Sequence, residues 1–397
     1  MTDGAVSDVV AGRQQDDSPP HEPDAVRQAS ASDALPEAGK GAPGFGFDVI
    51  GYLLSEIGLG EATRLLVAAL DAADIPTALV NAPLPGRESD ERLLDRLTDA
   101  GRHDIALSVF GLLDVGIFAA RSSRNRIRIG YPFWELPTAP ASIGPDIERF
   151  DAYWAPSTFI RDMLAREQNR PVHLVRQPVR LPPLPPAAPV FEGPLQILSF
   201  FDYDSVMARK NPLGAVRAFL SAFPAGSEDA QLVIKARGAP QPDAAQQLRA
   251  LTAGDRRITI IDETISRTRM DGLIAGCNVF LSLHRSEGFG LGCAEALASG
   301  KIVVATDFGG TRDFITPITG YPVAYHRVRL SAGDYPDAAG SYWAEPNVAH
   351  AALILRSIYD RPDDAAARIG AGHAHLKAHH SFEAVGARLR ELRQEMR

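Results

Sequence analysis

Between Val279 and Thr306 the chain passes from one apolar stretch, through a glycine-bearing turn and a short apolar helix, into another apolar stretch. Val279–Leu283 (VFLSL) reads as a buried strand, Leu291–Ser299 as a helix, and Ile302–Thr306 as the next strand. Strands joined through a helix lie parallel, and a parallel sheet needs helices on both faces. This one unit restricts the chain to an α/β architecture. Its turn opens a helix N-terminus beyond the carboxyl end of a strand. Free backbone N–H groups and the helix dipole there favour an anion such as phosphate. Glu287 and Glu295 flank the turn with no charge between them. Gly288 and Gly290 would let a ligand approach the backbone closely. Glu295 can offer two oxygens to a vicinal diol and Glu287 can reach a second hydroxylated group, so the stretch reads as a cradle for a sugar nucleotide.

The alternation extends through the chain. Phe47–Tyr52 reads as a strand, followed by a glycine loop and a helix over Glu61–Ala72 whose apolar face is Ala62, Leu65, Leu66, Ala69 and Leu70. Further strands are expected at Thr77–Val80, Asp104–Phe110, Ile127–Tyr131, Ala152–Ala155 and Val172–Val175. Helical segments are expected near Glu88–Ala100 and Pro156–Glu167. The proline-rich stretch Leu181–Pro194 continues neither helix nor central strand and reads as a linker. After it the pattern restarts: strands at Leu195–Phe201, Leu232–Ala236 and Ile258–Ile261 alternate with helices at Pro212–Ala222, Asp243–Leu251 and Arg269–Ala275. Helices close the chain from about Glu345. Residues 1–44, rich in Asp, Ser, Pro, Gln, Ala and Gly without an aromatic residue, read as a disordered tail. The expectation is two α/β domains, 45–180 and 195–378, joined by the linker 181–194 and facing each other across a cleft. A last segment, 379–397, follows them.

Bulk properties narrow the function. A 397-residue chain accommodates two domains. Its net charge of −8 argues against a dedicated nucleic-acid binder. No apolar run is long enough to span a bilayer, and no basic-then-apolar leader is evident. Two cysteines, Cys277 and Cys293, form no disulfide framework and suit a reducing cytoplasm.

The spacing of Glu287 and Glu295, with EGFGL between and VVAT following, resembles the E-x7-E signature of retaining glycosyltransferases of the GT-B fold, specifically the family-four group. The resemblance covers most of 46–397 and is tightest over 205–212 and 284–310. It implies two Rossmann-like domains, an N-terminal acceptor domain and a C-terminal donor domain, with the last helix crossing back onto the first. It implies transfer of a sugar, mannose or another hexose, from a nucleoside-diphosphate donor to a hydroxyl of a glycan, lipid-linked or small-molecule acceptor. Neither cofactor nor metal is implied. In Ser205–Pro212 (SVMARKNP), adjacent Arg209 and Lys210 resemble the Arg and Lys that hold the departing diphosphate. Phe289–Leu291 would add backbone amides, and Glu287 and Glu295 would grip sugar and ribose. Gly58 and Gly60, in a segment (GYLLSEIGLGEATR) similar to the opening of bacterial members, would sit in a loop closing over the donor. Trp134 and Glu135, in IGYPFWEL, would shape the acceptor site, with domain packing as the equal alternative for Trp134. His284 would touch the donor or serve as a hydrogen-bonded structural residue.

Other signals are weaker. Gly58-Leu59-Gly60 invites a dinucleotide reading, but Thr63 stands where the third glycine of that fingerprint belongs. A NAD-dependent oxidoreductase is therefore an alternative only, as is a non-catalytic scaffold of a polysaccharide assembly system. Asp202-Tyr203-Asp204 looks like a metal-binding pair, yet its expected task is shaping the loop ahead of Arg209. His373, His375, His379 and His380 lack acidic or cysteine partners at ligand spacing and read as a helix surface. The basic run Arg121, Arg124, Arg126 and Arg128 reads first as a solvated loop, with peripheral contact at an anionic membrane as the alternative. Oligomeric state is left open.

Overall fold

The computed structural model describes residues 44–86, 90–184, 193–224, 229–238 and 242–396. Of the expected tail, only Gly44 falls among these; of the expected linker, residues 185–192 lie outside them.

The first half of the described chain builds one parallel sheet. Its strands are β1 (Gly44–Gly51), β2 (Thr77–Asn81), β3 (His103–Gly111), β4 (Ile127–Phe133), β5 (Ala152–Ala155) and β6 (Val172–Leu174), ordered β2-β1-β3-β4-β5-β6. Helices α1 (Gly58–Ala72), α2 (Val115–Arg121) and α3 (Thr158–Glu167) connect them. The second half repeats the plan with β7 (Leu195–Asp202), β8 (Ala230–Arg237), β9 (Ile258–Asp262), β10 (Val279–Ser282), β11 (Ile302–Thr306) and β12 (Tyr321–Val323), ordered β12-β11-β10-β7-β8-β9. Its connecting helices are α4 (Met207–Lys210), α5 (Pro212–Ala222), α6 (Pro242–Thr252), α7 (Arg267–Gly276) and α8 (Leu291–Ala298). The strand of IVVAT, Ile302–Thr306, is buried along its whole length, as expected of a strand covered on both faces. Both orders reverse direction beside the first strand of their half. Loops on either side of such a reversal splay apart and leave a crevice at the carboxyl ends of the strands.

Side-chain caps place several helix starts. Ser157 accepts from Ile160 N at α3, Asn211 from Gly214 N at α5, and Ser266 from Arg269 N at α7. Each satisfies an amide that the helix leaves open. The helix expected over Glu88–Ala100 does not form. Among the described residues, only the 3-10 turn Leu94–Arg96 appears there. The Asp90 carboxylate binds the Arg92 backbone and guanidinium, so a side chain competes for amides a helix would use. The chain then runs beside β2, Thr98 N donating to Leu79 O at 2.8 Å.

An antiparallel pair, β13 (Tyr325–Arg329) and β14 (Tyr342–Pro346), was not anticipated. Leu330, Ala338 and Trp343 from it and its connection pack into the first half's core beside Phe110, Phe150 and Trp134. The connection is pinned where Asp337 accepts from Ser142 N (2.6 Å) and where Thr138 Oγ1 donates to Ser341 Oγ (2.8 Å). Helices α9 (Val348–Asp360), α10 (Pro362–His380) and α11 (Phe382–Glu395) end the chain. Val385, Leu389 and Leu392 of α11 join the core of the first half with Phe47 and Leu66. At Gly386, a Cβ would stand 2.7 Å from Ala69 O of α1, so only glycine permits this approach.

The end of α10 holds a buried titratable ring. His380 packs against both Phe289 and Phe314, donates from Nδ1 to Gln177 O at 2.9 Å, and finds no partner for Nε2 among the described residues. Burial, with a smaller push from Arg176, lowers it to about 3 from its ordinary 6.5. Burial likewise lowers His284 to about 4. The folded protein thus keeps both rings neutral while the unfolded chain takes up protons below about 6.5. Stability falls as pH drops through that window toward the folded values. We expect the urea midpoint to decrease from pH about 7 to about 5, and His380→Gln to flatten that slope. An unchanged slope would assign the proton uptake elsewhere. Glu287 does not contribute over this range, because its folded value near 2 matters only below the ordinary carboxyl range.

Candidate active site

The carboxyl ends of β7, β8 and β10 face the start of α1 and the end of β4 across a cleft of about 510 Å³. The turn after β10 occupies its centre. Gly290, at φ 90°, is the N-terminal boundary of α8, and no side chain caps that helix. The amides of its first turn are therefore available to an anion on the cleft side.

Arg209 and Lys210 reach this turn from a constrained segment. Val206 has φ 61° and Asn211 φ 53°, at either end of the single turn α4. A β-branched residue rarely adopts that conformation. The surroundings fix it: Arg209 N donates to Val206 O (3.0 Å), Asn211 Nδ2 to Leu283 O (2.9 Å), and Arg285 N to Arg209 O (2.7 Å). The two cations consequently converge on one carboxylate. Lys210 Nζ binds Glu287 Oε1, and Arg209 Nη1 lies 3.3 Å from Glu287 Oε2 while donating to Ser286 O at 2.9 Å. Burial would raise the Glu287 carboxyl, but Lys210 and Arg209 outweigh it and hold the group at about 2. Burial opposes the Arg209 charge, and Glu287 with Glu135 holds it firmly cationic. The side chain of Arg209 is 4% exposed against 24% for Lys210, so Arg209 is the more desolvated cation.

Glu295 also lines the cleft and binds Arg267 Nη1 at 2.8 Å. Burial raises its carboxyl and Arg267 only partly offsets this. Glu135 lines the cleft from the other side. It accepts from Tyr335 Oη at 2.6 Å, and its Oε1 lies 3.9 Å from Arg209 Nη2. The hairpin connection thereby touches the same charge network as the two cations.

Of the two readings open for Trp134 and for His284, the structure shows the packed one. Trp134 does not present its ring to the cleft: it is buried, its Nε1 donates to Thr138 O at 2.8 Å, and it packs edge-on against Tyr335. His284 is wholly buried, with Nδ1 accepting from Ser282 Oγ (3.0 Å) and Nε2 donating to Phe308 O (3.1 Å), and it is not among the cleft residues. Gly58 and Gly60 lie in the first turn of α1 rather than in a loop before it. Gly58 lines the cleft, but a Cβ on Gly60 would meet Ser55 O at 2.1 Å, so Gly60 serves a tight backbone approach. Gly288 and Gly290 line the cleft, and each also makes room for protein. A Cβ on Gly288 would stand 2.6 Å from Trp134 O, and one on Gly290 would stand 2.3 Å from Thr311 Cγ2. Phe289 and Leu291 border the cleft.

Asp202 accepts from Asp204 N and pairs with Arg237, which shapes the loop as expected. No cluster suited to a metal ion occurs among the described residues. His375 donates to Asp313 O, a packing role. Three groups of cleft residues escaped sequence reading: Arg267, Lys235, and the network in which Arg64 and Arg92 hold Glu61 and Asp90. Only the i,i+3 pair Glu61–Arg64 left a local trace.

Residues 206–331 match the family described as Glycosyl transferases group 1. No curated protein matches the chain. Anabaena HepE in complex with UDP-glucose is similar in structure, with a TM-score of 0.63 at 10% identity, covering 88% of this chain and 99% of that one. Sucrose-phosphate synthase from Thermosynechococcus elongatus gives a TM-score of 0.63 at 17% identity (88% and 98% covered), and a glycosyltransferase from Rickettsia africae gives 0.59 at 14% (88% and 98%). These likenesses establish the architecture, two parallel sheets in the GT-B arrangement. With a group 1 domain spanning the turn, the paired cations and both acids, the chain is a glycosyltransferase.

Proposed function

We propose that the protein transfers a hexosyl group from a nucleoside-diphosphate sugar to a hydroxyl acceptor, with retention at the anomeric carbon. One observation carries this reading: Arg209 and Lys210 converge on Glu287 beside the uncapped start of α8, at the centre of the cleft. Transfer breaks the bond between the anomeric carbon and the diphosphate oxygen and makes one to the acceptor oxygen on the same face. The difficulty lies in stabilising the departing diphosphate. Arg209, Lys210 and the α8 amides supply fixed positive charge without a metal. Glu287 turns to the sugar hydroxyls once the diphosphate takes its cations, and Glu295 engages the ribose. The acceptor proton passes to the leaving phosphate oxygen, so no side chain need be the nucleophile. Glu135, on the first-half wall, orients the acceptor.

The UDP-sugar bound by the Anabaena neighbour supports a nucleotide-sugar donor here. No described helix is long and apolar enough to cross a membrane. Exposed Ile117 stands one helical turn before Arg121 on α2, with exposed Leu113 just ahead of the helix, and this is the segment we assign to peripheral contact with an anionic membrane, the cytoplasm being the compartment.

The test is calorimetric titration of nucleoside diphosphates with diphosphate release measured over a panel of sugar nucleotides. Glu295→Ala is expected to weaken donor binding about 10-fold or more, the loss of charged hydrogen bonds to a diol. Parent-like binding in that variant would misplace the ribose, and silence over the whole panel would remove the transferase reading.

A further inference from the structure

We propose that Lys235 sets the nucleobase of the donor, admitting bases that present a ring carbonyl (guanine or uracil) and rejecting those with an amine at that edge (adenine or cytosine). This rests on the donor site described above and deepens it. The sheet order places β7 between β10 and β8. Neighbouring strands lie about 4.8 Å apart, so the end of β8 stands about 10 Å across the sheet from the end of β10. That offset suits a ligand whose diphosphate sits at the α8 turn and whose base lies one ribose away.

The cleft also offers apolar lining suited to a flat ring. Phe200 and Lys235 are register partners on β7 and β8 and so point to one face. Phe200, Ile265, Met270 and Leu291 give the space apolar walls, and Glu295 borders the same cleft. Lys235 is the polar exception. It is 5% exposed, lines the cleft, and makes no hydrogen bond or ion pair among the described residues. The nearby carboxylates are engaged elsewhere: Asp202 with Arg237 at 2.9 Å and Asp262 with Arg249 at 3.2 Å. Burial, then the Arg237 charge, pushes the ammonium's pKa down. The ammonium opens on the cleft, and a ligand that supplies an acceptor there gains a charge-assisted hydrogen bond. An ammonium only donates. Guanine O6 and uracil O4 accept, whereas the exocyclic amines of adenine and cytosine bring a second donor to the same place. A site built to bond one such group discriminates strongly against the analogue that cannot.

The experiment titrates the full chain, as wild type and as Lys235→Met, with GDP, UDP, ADP and CDP. Methionine keeps the length and removes the charge, and the thermal midpoint verifies folding. In the wild type, GDP is expected to bind about 10-fold or more tighter than ADP, or UDP than CDP, and the variant is expected to lose that ratio by weakening only the carbonyl-bearing nucleotide. An unchanged ratio in the variant overturns the assignment, and equal weakening of all four places the lysine on phosphate and overturns it as well. Wild-type binding without carbonyl preference overturns this inference but leaves the donor site standing. Failure of every nucleotide to bind removes both.

Discussion

Arg209→Met is expected to lower donor turnover by about 100- to 1,000-fold, the usual effect of removing one preorganised group that stabilises charge developing in a transition state. The geometry explains why this residue outranks its neighbour. Arg209 is almost wholly buried, donates to Ser286 O, and faces both Glu287 and Glu135, whereas Lys210 meets Glu287 alone from a partly exposed position. A desolvated charge interacts more strongly than one that water can screen. Lys210→Met should therefore cost less. Removing one partner of a buried pair also destabilises, by up to about 3–5 kcal/mol, but Lys210 remains on Glu287 and Tyr335 on Glu135. Diphosphate release and thermal midpoint measured together separate the effects. Arg209→Lys restores charge without the fork and should recover part of the rate. A folded Arg209→Met enzyme with parental turnover would disprove the role.

Gly288→Val is expected to destabilise the protein by about 1–3 kcal/mol, the ordinary cost of forcing atoms into a packed site, and to reduce activity further than that loss explains. The new Cβ would lie 2.6 Å from Trp134 O and 3.2 Å from Ile160 Cδ1. Neither yields easily. Trp134 is held through Thr138 and Tyr335, and Ser157 Oγ donates to Gly288 O itself at 2.6 Å. The turn must shift, taking Glu287 and the α8 amides with it. Gly58→Ala is the control. It lies in α1 with nothing within 4 Å of the added methyl, so it should be neutral or stabilising by up to about 1 kcal/mol. Equal thermal midpoints for Gly288→Val and the parent would show that the approach of the two halves is looser than described.

The β–α alternation was legible because each strand and helix announces itself within ten or so residues. The turn at Glu287 was legible for the same reason, since strand, glycines and helix are contiguous. The contacts that give this turn its character were not. Arg209 and Glu287 meet only because β7 and β10 are neighbours in the sheet, and nothing local says that Glu287 already holds both cations. Gly288 looked like room for a ligand, yet the space it leaves is filled by the Trp134 carbonyl from the opposite half. Lys235 passed unnoticed as one charge at the end of an apolar strand. The β13–β14 pair hid because its first strand is largely exposed and carries one His and two Arg around Tyr325 and Val328, without clean alternation. The missing helix over Glu88–Ala100 shows the converse: a tolerable local pattern yielded to the bonds that Asp90 makes with Arg92 and Arg64.

In a phosphate-rich milieu, two bare cations at a helix start would hold orthophosphate much of the time. Here the seat is taken in advance by the carboxylate of Glu287. A small anion that evicts it gains two contacts and leaves a buried carboxylate without its counter-ions, a nearly even exchange. A larger guest that also engages the α8 amides and the distant end of the cleft has surplus to displace it. On the proposed donor reading, the resting enzyme would thus screen itself against simple salts and fill with the extended ligand alone.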